Sequence, residues 1–516
     1  MNISVGRPLF PWDALEDNPS LLSIRRFLES VPDAKLLEDL RRLRGKGRDD
    51  YPVHVCWGVL LLTILLRHSG IAACLEDLER NDALCQLIGI DCQAAIPKDW
   101  NMSRFLDVLG QDPHRSNLEA VFAHMVQRLG LIIPDLGKHT AGDSSALNAR
   151  RLREDATAKA DAKAAAATTV AAPATDLGAA ANADAAAAAA ATSSATSTTS
   201  TPTATASKPA TPAPDKIEYD KHGLPQPAGG RKEYKDDNGN VTQVVQWFGY
   251  KFHLLVDVHH EVALSYRITS TKMGDNELIP DLVNQGRANL PEGRIRTVAY
   301  DKAADDNAVH EFLDDMGIKP VIQQRALWKE EPERQLPGHD GNSNIVYDEA
   351  GTVHCYDKVS DPPVRHRMSY IGYEPDRGTL KYRCPAKHED WPCPMFDICN
   401  AGKSYGKTVR VQKDIDLRRF PPIPRATKLF EKLYKGRTAV ERVNGRMKVF
   451  WGADDGNITG ATRFHAYLGA VMVVHIGLAT LLASTGRTGP LGKMELSPIA
   501  KALREPIDAD KPRPPP

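Results

Sequence analysis

The sequence predicts an α/β fold: a mixed sheet flanked by helices, preceded by an all-helical region and interrupted by a Cys-containing insertion that is β-rich or irregular. Three observations predict it. Residues 1–135 carry apolar side chains at helical spacing, and Val55 to Leu66 is apolar on nearly every face. Residues 231–322 alternate strand and helix signals, as a mixed sheet requires. Residues 428–485 return to helical patterning, whereas 323–427 are rich in Pro, Gly, Cys and charge.

Taken in order, Val55 to Leu66 is expected to be a central buried helix. An amphipathic helix from Asp77 to Leu87, a helix starting near Ser103 after Pro97, and a helix from Asn117 to Gly130 flank it. Cys56, Cys74, Cys85 and Cys92 lack a C-x2-C spacing and read as small core residues. Residues 136–154 hold a first strand. Residues 155–230 are dominated by Ala, Thr, Ser and Pro. With so few large apolar side chains, burial cannot offset ordering entropy, and a disordered insertion is expected. Then comes a turn over 235–240, with Asn238-Gly239 suited to positive φ. Strands are expected at Val241–Trp247, Tyr250–Val258 and Val262–Ile268, a helix at Asn276–Gln285, and a strand at Ile295–Tyr300. A helix at Asp306–Met316 and a strand at Lys319–Ile322 complete the sheet. One continuous helix is expected over Ala426–Val449, another over Thr462–Ser484, and a flexible tail over 486–516.

Composition narrows the class. Of 516 residues, 42% are hydrophobic and 26% charged, as in a soluble globular protein. Lys+Arg and Asp+Glu number 66 each, so overall charge names no partner. Between residues 401 and 450 there are 14 Lys/Arg against 4 Asp/Glu, a stretch suited to polyanions. The N-terminus lacks a positive-then-apolar leader. The apolar run Ala466–Ala483 contains His475 and falls short of the ~20 residues of a membrane helix. The expectation is a cytoplasmic, nucleoid-associated protein with no membrane partner and with reduced cysteines.

Three acids stand out by their settings. Asp143 lies in Thr140-Ala141-Gly142-Asp143-Ser144-Ser145. Asp301 ends the strand Thr297 to Tyr300, where α/β sheets place their sites. Glu441 sits among Lys435, Arg437, Arg442, Arg446 and Lys448. Each has a structural alternative: a strand-end Asp caps a turn, and Glu441 is an i,i+4 partner for Arg437. The spacing Tyr434, Arg437, Glu441, Lys448 reads Y-x2-R-x3-E-x6-K. On a continuous helix it puts a phenol, a guanidinium, a carboxylate and an ammonium on one face. Such a face suits phosphate and a hard cation better than a core.

This pattern resembles the Tyr-Arg-Glu-Lys signature of a large group of bacterial insertion-sequence transposases whose catalytic triad is Asp, Asp and Glu. Gly249-Tyr250-Lys251-Phe252-His253-Leu254-Leu255-Val256-Asp257 is similar to that group's second strand, and Asp301-Lys302 to its second catalytic Asp. The resemblance covers about residues 50–150 and 245–485. It implies an RNase H-like core in which Asp143, Asp301 and Glu441 bind two Mg²⁺ ions, with Mn²⁺ as a substitute. It further implies that Tyr434, Arg437 and Lys448, with Arg442 and Arg446 beside them, contact DNA phosphates. The chemistry would be metal-dependent cleavage at the ends of an insertion sequence and transfer of the 3′-hydroxyl into target DNA, two in-line phosphoryl transfers. The partners would be terminal inverted repeats, target DNA and a second copy of the chain.

Alternatives stay open. Asp135 and Asp257 compete with Asp143 for the first carboxylate. Asp305 and Asp306 compete with Asp301 but better explain the cap of the following helix. Cys355, Cys384, Cys393 and Cys399, with His354 and His388 nearby, are candidates for Zn²⁺ within the insertion, against a default of reduced structural thiols. A catalytically silent DNA-binding descendant and a nuclease that cuts without joining are the competing functions.

Overall fold

The computed structural model describes residues 19–45, 50–150, 217–235, 240–325, 327–328, 332–338, 344–455, 458–484, 486 and 491. The insertion expected over 155–230 therefore lies outside the described residues as far as 216, and so does most of the expected tail.

Among the described residues, seven α-helices precede the sheet: α1 Pro19–Ser30, α2 Ala34–Arg44, α3 Val53–Leu65, α4 Ile71–Leu78, α5 Asp82–Leu87, α6 Asp99–Leu109 and α7 His114–Ile132. Nearly every residue of α3 is buried, as its all-round apolar sequence requires. The single helix expected from Asp77 to Leu87 is two, because Asn81 caps α5 by accepting from the Leu84 amide.

The sheet contains β1 His139–Asn148, β2 Ala228–Lys235, β3 Val241–Asp257, β4 Ala263–Ser270, β5 Thr297–Tyr300 and β6 Lys319–Ile322. Helix α8 Asp275–Asn289 separates β4 from β5, and α9 Asn307–Asp315 separates β5 from β6. The strand order β4-β3-β1-β5-β6 has β3 antiparallel to both neighbours and β1, β5 and β6 parallel. This is the RNase H-like arrangement. Two expectations change. β3 is one strand of 17 residues, because Gly249 pairs with Asn148 on one side and Ala228 on the other and the ladder never breaks. Residues 217–230, expected to be disordered, carry structure: Tyr219 bridges Pro225, and β2 pairs with the first half of β3.

The insertion forms two small sheets. One is β7 Glu333–Gln335, β8 Ile345–Asp348, β9 Val353–Asp357 and β10 Val364–Arg367. The other is β11 Ser369–Glu374, β12 Thr379–Arg383 and β13 Thr408–Gln412. Between β12 and β13 lie two short helices, α10 Pro385–Glu389 and α11 Phe396–Asn400. This part has its own core, around Tyr347, Leu380, Tyr382 and Phe420. The chain ends in α12 Lys428–Lys435, α13 Thr438–Val449 and α14 Ala461–Ser484.

Helix α14 is long and apolar enough to cross a membrane, yet its apolar window is wholly buried within the protein. It packs on α7, α6 and α3 and touches β4. The N-terminal helices thus share one hydrophobic core with the sheet instead of forming a separate one.

Candidate active site

Strand register brings the first two acids together. Ala141 and Ala299 are the last paired couple of the parallel strands β1 and β5. Asp143 and Asp301 each follow two residues later, on the same side of their strands by alternation. Their charges interact: Asp301 helps raise the Asp143 carboxyl. Close packing under this junction demands Gly142, where an added Cβ would lie 2.0 Å from the Tyr300 ring. Asp301 also caps the turn after β5, its Oδ1 accepting from the Ala303 amide at 2.9 Å. The structural and chemical readings of this residue coexist.

The third acid arrives on α13, which lies against β1 and β3, while α12 touches β5 and β6. The continuous helix expected over 426–449 is interrupted at Gly436, and Arg437 stands at the N-terminus of α13. Tyr434 and Glu441 therefore lie on different helices and owe their meeting to this joint. A Cβ at Gly436 would press on Val258 at 2.6 Å, so the backbone of the joint passes close against the β3–β4 corner. Arg437 Nη2 donates to Glu441 Oε1 at 2.6 Å, and its Nη1 lies 3.6 Å from Asp143 Oδ2. The phenol of Tyr434 feels Arg437, Asp301 and Glu441 together, although burial is the largest cause of its raised pKa.

Burial pushes the Asp143 carboxyl up to about 6, and Asp301 and Asp275 add to the rise. The Ser144 amide and Arg437 oppose it. The Tyr300 hydroxyl beside these acids is buried without a hydrogen-bond partner. Asp143, Asp301 and Glu441 come from separate elements and offer hard carboxylate oxygens, the donor type that Mg²⁺ takes. A cation there would favour the ionised Asp143 against the burial that chiefly raises it and the Asp301 and Asp275 charges that add to the rise.

One participant went unrecognised in the sequence. Asp275, at the start of α8, pairs with Lys251 at 2.9 Å and lies 3.8 Å from His253 Nδ1. Burial works against its ionisation, but hydrogen bonds from Lys251 and Ser144 bring its pKa below the usual carboxylate value. Burial holds His253 down to about 4, so its ring is neutral at pH 7. Lys251 and His253 alternate along β3 onto one face. That i,i+2 pair calls for an acid partner without saying which one.

The remaining candidates fall into place. Asp257 is buried and accepts from the Gly137 amide at 2.7 Å and the His260 amide at 2.5 Å, so it fastens two loops. Asp306 caps α9 as expected, accepting from Ala308. Asp305 is no cap: its buried carboxylate holds Arg418 at 2.8 Å, Arg425 at 3.0 Å and His310 at 3.2 Å, anchoring the insertion to the core. Arg442 and Arg446 both pair with Glu261. Arg446 is 9% exposed, which leaves it little surface for a phosphate. Lys448 lies 3.8 Å from Asp454. All eight cysteines are free thiols. Cys355, Cys384, Cys393 and Cys399 share a neighbourhood in which burial, then the other three thiols, push Cys355 up to about 12.

An RNase H-like sheet with one acid within β1, a second just past the end of the neighbouring parallel strand β5, and a third on the helix beside them is the arrangement of a DDE-type core. The chain's residues 211–476, more than half of it, match the transposase DDE domain, and the chain belongs to that family. Asp301 and Glu441 fall inside the matched span, and Asp143 precedes it. No curated protein matches the chain.

Proposed function

We propose that the protein cleaves DNA at the ends of an insertion sequence and joins the freed 3′-hydroxyl to target DNA, with Asp143, Asp301 and Glu441 as ligands for divalent metal. The observation that carries this reading is the Arg437 guanidinium shared between Asp143 and Glu441, acids far apart in the sequence. Mg²⁺ bound by the three carboxylates supplies an activated water or 3′-hydroxyl and stabilises the leaving oxygen.

The chain's own residues do the rest. Asp143 and Asp301 hold fixed donor positions because β1 and β5 are locked in register. Glu441 is steered by Arg437 and by the Glu261 clamp on Arg442 and Arg446. Tyr434, Arg437 and Lys448 orient the DNA phosphates, Arg437 by its planar fork and Lys448 as a point charge. Asp275, with Lys251, fixes Ser144 beside Asp143.

The test is cleavage of a labelled duplex carrying the DNA that flanks the protein's own coding sequence. With Mg²⁺ we expect nicked ends and, with added target, joined product. Asp143→Asn, Asp301→Asn and Glu441→Gln should each abolish both while still binding the duplex. Binding without any cleavage by the unaltered protein would sink the reading in favour of a silent DNA-binding protein. Cleavage without joined product would reduce it to a nuclease.

A further inference from the structure

The β3–β4 corner carries a cluster that the chemistry above does not use. Among the described residues, Asp135, His259 and His260 each offer one ligand atom, and these atoms all lie within 4.8 Å of one another. Asp135 belongs to the link between α7 and β1, and the two histidines belong to the corner. His260 Nε2 and Asp135 Oδ1 are 3.1 Å apart. The cluster sits past the opposite end of β1 from the acids. His139 alone is four residues from Asp143, on the order of 13 Å along a strand.

The backbone around this cluster is built in advance. Asp257, itself buried, accepts from Gly137 in the link and from His260 in the corner, so one carboxylate sets the distance between both ligand-bearing segments. The Val258 amide bonds to the His139 carbonyl, closing the same junction. Glu261, which follows His260, adopts φ +54 and is buried. A non-glycine residue there is held by its surroundings, in this case by the Arg442 and Arg446 pairs.

We propose that Asp135, His259 and His260 form a second metal site, for a divalent first-row transition ion of the zinc class. Two imidazoles and one carboxylate suit such an ion and suit Mg²⁺ poorly. The Asp135 side chain is 57% exposed, so solvent can complete the coordination. An ion bound here pins the corner to the α7–β1 link. The corner contacts α13 through Glu261 and the Gly436 joint through Val258. The site therefore stiffens the platform on which Glu441 is carried, and its role is positional.

The experiment is Co²⁺ titration of the full-length, tag-free protein in excess Mg²⁺, followed by absorption spectroscopy and isothermal calorimetry. We expect one ion with visible d–d bands and no thiolate charge-transfer band. His259→Ala, at an exposed position, should weaken binding by roughly 10-fold or more, since loss of even an outer partner costs about that. His259→Ala should also remove the rise in melting temperature that Zn²⁺ gives. Asp301→Asn should leave Co²⁺ binding unchanged, which separates this site from the carboxylate cluster. Co²⁺ bound with thiolate bands alone, or equal affinity in His259→Ala, overturns the proposal.

Discussion

Arg437 Nη1 lies 3.6 Å from Asp143 Oδ2, so a helix cation reaches an acid set in the middle of β1. The same guanidinium donates to Glu441. Among the described residues, Arg437 thus pairs with two of the three acids, and its charge favours the ionised form of Asp143. Arg437→Ala should lower Mg²⁺-dependent cleavage by about 100-fold, the scale seen when one preorganised donor is lost. It should also move the acid limb of the pH–rate profile upward, because Arg437 favours the ionised form of Asp143. A profile that keeps its position while the rate falls would show that Arg437 serves the DNA alone.

The Asp143 carboxyl, raised to about 6, gives two linked pH effects. Mg²⁺ needs the ionised form, so its affinity should fall as pH drops through about 6, measured by calorimetry between pH 5 and 8. Stability runs the other way. A group whose folded pKa exceeds its unfolded value contributes stability that is present below the unfolded value and is lost as pH rises through the folded one. In chelator, Asp143→Asn should therefore raise the melting temperature at pH 8 and change it little at pH 4. The rise from 3.8 to about 6 corresponds to a ceiling on the order of 3 kcal/mol. The side chain is 27% exposed, so solvent screening reduces the expected gain to about 1–2 kcal/mol.

Much of this was legible in the sequence, and the failures have physical reasons. β6 falls on the residues expected for it, and α7, α8, α9 and α14 differ only at their ends, because each has strong periodicity and clear boundaries. The acids could be named from spacing and setting, but their convergence depends on the register of β1 with β5, which is a long-range pairing. The helix break at Gly436 was hidden because a lone glycine is tolerated in a helix. What demands glycine there is the close approach of Val258, a residue far away in sequence. Arg446 looked like a phosphate ligand because its partner Glu261 lies in a distant corner. Asp275 was missed for the same reason, since Lys251 and His253 reveal it only once β3 and α8 are side by side.

Gly142 makes a stability prediction at the heart of the site. A methyl group there would meet the Tyr300 ring at 2.0 Å, and that ring is buried and cannot swing away. Gly142→Ala should destabilise the protein by about 1–3 kcal/mol or more through overpacking. It should also spread β1 from β5 at the point where Asp143 and Asp301 emerge. A melting curve paired with the cleavage assay checks both, and normal activity in a destabilised variant would show that the acids tolerate the displacement.

Glu261 holds Arg442 and Arg446 from a buried position. Glu261→Ala would strand the buried Arg446 charge, at a cost of about 3–5 kcal/mol. Urea denaturation should record it. The double variant Glu261→Ala, Arg446→Met should recover much of the loss, because an uncompensated buried charge, not the absent pair, is the source of the damage. Failure of the double variant to recover would instead assign the cost to the strained corner backbone.

Asp275 tests whether a residue outside the three acids tunes their chemistry. Its charge raises the Asp143 pKa, while its hydrogen bond fixes Ser144 next door. Asp275→Asn keeps the side-chain shape and removes the charge. The acid limb of the pH–rate profile should then shift downward, opposite to the shift from Arg437→Ala. Loss of the Lys251 ion pair should at the same time loosen Ser144 and cut kcat by about 10-fold, with little change in KM for DNA. The two variants thus pull the same titration in opposite directions from opposite signs of charge. A purely structural role for Asp275 would lower the melting temperature and leave the position of the limb unmoved, and that result would remove Asp275 from the site.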